Sequence, residues 1–108
     1  MQLSEIMSLT IMKKREISIP ECIIEEIESW NLQKSKFYKS ENIGKLYCFL
    51  MIRAGEKPFE ITIVDLMKEL GFGDELYVTK ATALLEEKEW ISVDRSRNPY
   101  TYRVRIKK

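Results

Sequence analysis

Histidine is absent from this chain of 108 residues, cysteine occurs twice, glycine four times and proline three times. A tetrahedral zinc site needs closely spaced Cys or His ligands, and Cys22 and Cys48 stand too far apart to supply them. Without imidazole there is no Ser-His or Cys-His nucleophile pair and no side chain that shuttles protons near neutral pH. The glycines form no phosphate loop: residues 71–76 (GFGDEL) miss the last glycine of G-x-G-x-x-G, and no G-x-x-x-x-G-K-[ST] occurs. An enzyme, a metal site and a bound cofactor are therefore not expected. The longest apolar run, residues 46–52, falls far short of the roughly 20 residues that cross a bilayer. The basic cluster Lys13, Lys14, Arg15 follows the N-terminal apolar stretch, the reverse of a secretory signal, so no membrane partner and a cytoplasmic location are expected. Both cysteines have apolar neighbours, which predicts two buried free thiols.

What is present describes one small globular domain, 44% apolar and 32% charged. The net charge of +1 conceals an alternation along the chain: residues 1–30, 31–58, 59–89 and 90–108 carry −3, +4, −5 and +5. A uniformly basic surface is excluded, yet a fold that brings the second and fourth blocks together would create a positive face.

Periodicity and caps predict the elements. Residues 16–19 alternate as a short strand, and Pro20 suits the first position of a helix over residues 20–30 with Ile23, Ile27 and Trp30 on one stripe. Ser40 is an apt N-cap for a helix over 40–54 that Gly55 stops. Its run from Leu46 to Ile52 is apolar around the full circumference, so it needs cover on two sides: its own core, and either the N-terminal helix or a second subunit. Residues 59–62 are extended, and Thr62 and Asp65 resemble a capping box opening a helix that Gly71 ends. Asp74 then caps a helix over 75–88. Two alternating stretches follow, around a turn at Ser96, Arg97, Asn98 and Pro99, with Tyr100, Tyr102, Val104 and Ile106 on one face and Arg103, Arg105 and Lys107 on the other.

Helix, short strand, helix, glycine turn, helix, basic hairpin is the element order of the winged helix-turn-helix family. Residues 78–91 (VTKATALLEEKEWI) resemble the end of the recognition helix and the entry to the wing in MarR-like transcriptional regulators. Glu89 stands where such proteins usually carry Gly, and Thr82 where they usually carry Leu. The resemblance implies an α+β, mainly α fold with three helices plus a C-terminal β-hairpin wing over 41–108, preceded by an accessory or dimerisation segment over 1–40 with its own strand and helix. It also implies a double-stranded DNA-binding protein that regulates transcription, with the third helix in the major groove. With nothing after the hairpin to dimerise through, a homodimer would be joined through residues 1–54.

With Val78, Ala81 and Leu85 packing inward, Tyr77, Thr79, Lys80, Ala83 and Leu84 are expected to face the groove. Only Tyr77, Thr79 and Lys80 of these carry suitable donors. The wing is better supplied, with Arg95, Arg97, Asn98, Arg103 and Arg105 offering donors for phosphates. A second basic patch comprises Lys34, Lys36, Lys39 and Lys45. The stretch from Lys14 to Ile27 also resembles the strand and first helix of a ribbon-helix-helix repressor, with Lys14, Glu16 and Ser18 as readers. A different class is a winged helix used for protein contacts in a multi-subunit assembly, which the acidic third helix with Ala83 and Leu84 outward would suit.

Overall fold

The computed structural model describes residues 18–105. Four helices and three strands follow in the order α1 (Glu21–Glu28), α2 (Ser40–Ala54), β1 (Phe59–Ile61), α3 (Ile63–Leu70), α4 (Glu75–Glu87), β2 (Ile91–Asp94) and β3 (Tyr100–Val104). The strands form one antiparallel sheet in the order β1-β3-β2. Pairing of Phe59 with Tyr102 and of Val93 with Tyr102 puts the apolar residues of all three strands on one face, toward the helices. The chain is thus of the α+β class.

Local chemistry accounts for most element ends. The Thr62 hydroxyl accepts from the Asp65 N–H (3.0 Å) at the start of α3, and the Asp74 carboxylate accepts from the Leu76 N–H (2.8 Å) at the start of α4. Gly71 closes α3 in the left-handed conformation, φ 74°. Two expected starts differ. Pro20 is the N-cap of α1 rather than its first helical residue, and α1 stops at Glu28, two residues before Trp30. Lys39, not Ser40, caps α2; the Ser40 hydroxyl instead donates to the Glu28 carboxylate (3.1 Å) and links the two helices. Ser18 and Ile19 are not in a strand, and the rest of that expected element lies outside the described residues, as do Lys14 and Glu16.

The apolar helix α2 is the centre of the molecule. Ile43, Leu46 and Leu50 are fully buried against Val78, Ala81 and Leu85 of α4 and Tyr102 of β3. Its second side is covered by α1. There Gly44 leaves room for Ile19 and Ile27: a Cβ on Gly44 would lie 3.2 Å from the Ile19 side chain and 3.5 Å from that of Ile27. Burial of α2 therefore needs no second subunit, and of its apolar run only Ile52, 72% exposed, points away from the protein. Cys48 is buried as expected, but Cys22 on α1 is exposed because the stripe that packs inward runs through Ile23 and Ile27. Among the described residues no helix is long and apolar enough to cross a membrane.

Candidate nucleic-acid interface

Successive residues of an α-helix turn by about 100°, and burial divides α4 into four sides. Val78, Ala81, Thr82 and Leu85 face the core. Tyr77, Leu84 and Lys88 lie on one flank, Glu86 lies on the opposite flank, and Leu76, Thr79, Lys80, Ala83 and Glu87 make up the outer side. Thr82, the position usually held by Leu, is accommodated because its hydroxyl donates to the Thr79 carbonyl (3.0 Å).

The first flank is occupied by the connector between α1 and α2. Phe37 stands edge-on to Tyr77 with ring centroids 5.0 Å apart, and Phe72 lies 5.4 Å from Tyr77 on the other side. Tyr77 is therefore half-buried in an aromatic cluster and does not project from the outer side as expected. Leu84 is also turned, packing against the core from the wall of a cleft. That cleft, about 240 Å³, runs between connector and helix and is lined by Asn31, Gln33 and Tyr38 on one side and Lys80, Ala83 and Glu87 on the other. Trp30 ends the connector against Trp90 (5.0 Å, edge to face), with the Lys88 ammonium 5.4 Å from the Trp30 ring.

The opposite flank belongs to the hairpin. Arg95 donates twice to Glu86, Nη1 to Oε2 at 2.9 Å and Nη2 to Oε1 at 2.6 Å, and its guanidinium lies 5.8 Å from the Tyr100 ring. The bonds to Glu86 raise the Arg95 pKa further and balance this charge against α4. Arg105 is partly engaged, 3.6 Å from the Glu89 carboxylate. Arg97, Asn98 and Arg103 are exposed, and Arg97 and Arg103 form no ion pair among the described residues. At the turn, the Asp94 carboxylate accepts from the Ser96 hydroxyl (2.7 Å) and N–H (2.9 Å), which hold it below the usual carboxylate range, with Arg97 as a lesser cause. The outer sheet face is mixed in charge rather than cationic, because Glu60 and Asp94 flank Thr101 while Arg103 pairs with Ser92.

Comparison with protein-family models, curated proteins and solved structures returns no match to this chain. The second basic patch also divides. Lys45 donates to the Leu70 carbonyl (2.8 Å), satisfying the end of α3, whereas Lys34, Lys36 and Lys39 are exposed on the connector, with Lys36 over the Phe37 ring at 5.3 Å. Thr79 is exposed, but its hydroxyl donates to the Glu75 carbonyl (3.1 Å), leaving its oxygen to accept. Of the expected site residues, the fold thus keeps Thr79 and Lys80 on the outer side of α4, leaves Lys36 and Lys39 exposed on the connector and Arg97 and Asn98 exposed at the hairpin turn, puts Arg103 on the sheet face turned away from the helices, and diverts Tyr77, Arg95 and, in part, Arg105. Sequence reasoning missed Asn31 and Gln33, which lie outside any regular element and are brought to α4 by aromatic contacts with distant residues. Among the described residues no three Asp, Glu or Cys side chains converge as metal ligands.

Proposed function

We propose that this protein is a winged-helix double-stranded DNA-binding protein that regulates transcription as a homodimer, with α4 as the recognition helix and the β2 and β3 hairpin as the wing. The observation that carries the reading is that the solvent-facing side of α4 is bordered on one flank by the connector and on the other by the hairpin, both of which bear cations that form no ion pair among the described residues. Arg97 stands at the turn of the hairpin that Arg95 ties to α4, Lys34, Lys36 and Lys39 stand on the connector, and Thr79, Lys80 and Ala83 lie on the outer side of the helix. A helix lying in a major groove about 12 Å wide has a phosphate backbone on either side, and this charge distribution matches that geometry. The acidic residues do not oppose it uniformly, because Glu86 is neutralised by Arg95.

The chain should bind random-sequence duplex DNA at 50 mM salt and lose most of that affinity at 200 mM, as fluorescence anisotropy would read. Absence of binding at low salt overturns the reading. In that case the protein-contact alternative takes its place, favoured by Leu76, which is 42% exposed on the outer side of α4 next to Ala83 and Glu87. The homodimer is tested separately: light scattering at micromolar concentration that shows only a 12.8 kDa species removes it. Among the described residues up to Ala54, Ile52 is the large apolar side chain left open for such a contact.

A further inference from the structure

The most discriminating base-edge contacts come from side chains that pair with two groups of one base, above all Arg, Asn and Gln. None of these occurs in α4. Its outer side presents Leu76 and Ala83, which have no donor, Glu87, which only accepts, Lys80, and Thr79, whose hydroxyl proton is already given to the helix backbone. Two carboxamides nevertheless stand beside that side. Asn31 and Gln33 are exposed and line the same cleft as Lys80 and Ala83. Asn31 has φ 57°, a left-handed conformation that asparagine tolerates better than most residues. The segment that bears them is pinned at one end by Trp30 on Trp90 and at the other by Phe37 on Tyr77, both at 5.0 Å. Their position is thereby set before any ligand arrives, which limits the ordering cost of binding.

We infer that sequence preference is read from the connector, by Asn31 and Gln33, while α4 sets the depth and register of the complex. The inference rests on the duplex-binding reading above. A carboxamide offers one donor and one acceptor to the N7 and N6 groups of adenine in the major groove, so the preferred duplex carries adenines where the connector crosses it.

The test is selection from a random duplex pool with the whole chain, followed by affinities for the selected duplex and a scrambled one. Gln33→Ala should lower the ratio of the two affinities by about 5- to 100-fold, with the scrambled duplex bound as before. Asn31→Gly, which keeps the left-handed backbone, should do the same. Gln33→Glu should move the selected base from adenine toward cytosine, because a carboxylate only accepts. Preference that survives in Gln33→Ala and Asn31→Gly but is lost in Lys80→Ala or Thr79→Ala overturns the inference and returns readout to the helix. A wild type that binds every duplex equally also overturns it while leaving duplex binding in place, and a wild type that binds no duplex removes both.

Discussion

Glu89 has φ 63°, a backbone region that costs a residue with a Cβ about 1 kcal/mol or more and costs glycine nothing. The position where MarR-like proteins usually carry Gly is thus one where this chain adopts the glycine conformation without the glycine. Its carboxylate reaches Arg105 only at 3.6 Å, with both side chains largely exposed, so little is gained in return. Glu89→Gly should therefore stabilise the fold by about 0.5 to 1 kcal/mol, read as a higher midpoint in urea at unchanged slope. A lower midpoint would mean that the ion pair outweighs the backbone strain. A second residue-scale effect is set by burial. Tyr102 is 1% exposed, and loss of water around its phenol pushes its pKa up to about 12, above the usual value near 10. Its proton is then held more tightly in the folded chain. Stability is complete below pH 10 and falls as the pH rises toward 12, because the unfolded chain ionises first. At pH 11 the loss from this residue should be about 1 kcal/mol relative to pH 8. Tyr102→Phe should remove that part of the decline, leaving a smaller one from Tyr47, whose pKa burial also raises. An unchanged decline in the variant would place the alkaline sensitivity elsewhere.

Elements differ in how far their own residues determine them. Thr62, Gly71 and Asp74 act within four residues of themselves, and the helix pair they delimit is legible from the sequence for that reason. The hairpin is legible too, since alternation on β3 encodes which side chains face the helices. Ser40, Tyr77 and Arg95 are misread for the opposite reason: each is claimed by a partner distant along the chain, Glu28, Phe37 and Glu86 respectively. The connector is the extreme case. It has no periodicity, and its position depends on Trp30 and Phe37 meeting rings that lie 60 and 40 residues later. Phe37 is the removable anchor, because Trp30 also touches the core around Trp90. Phe37→Ala should cost about 1 kcal/mol of stability and speed tryptic cleavage after Lys34, Lys36 and Lys39, while Phe37→Tyr preserves resistance. Equal cleavage rates in all three proteins would show that the aromatic contact does not hold the segment.

Across the whole molecule, the fold sorts a nearly neutral chain into a field with direction. Parts of the two positive blocks border α4, which belongs to the most acidic block: the connector through Phe37 on Tyr77, and the hairpin through Arg95 on Glu86. Because opposite charges in the hairpin and α4 partly cancel, counting arginines overstates the free positive charge of the hairpin. Arg97 remains at the hairpin turn, with Lys34, Lys36 and Lys39 on the connector. If each neutralises one phosphate, the slope of log K against log salt should be about −3 to −4 per protomer, and twice that for a dimer with both sites engaged. Arg97→Ala should make the slope shallower by about 0.9 per protomer. Replacing the three connector lysines with Ala should make it shallower by about 3. Arg95→Ala is the discriminating variant, since its guanidinium is already balanced by Glu86. The slope should stay as it is, and affinity should fall only modestly as the released Glu86 repels the backbone. If Arg95→Ala flattens the slope as much as Arg97→Ala, the pair with Glu86 opens on DNA and the wing carries more of the contact than its resting geometry implies.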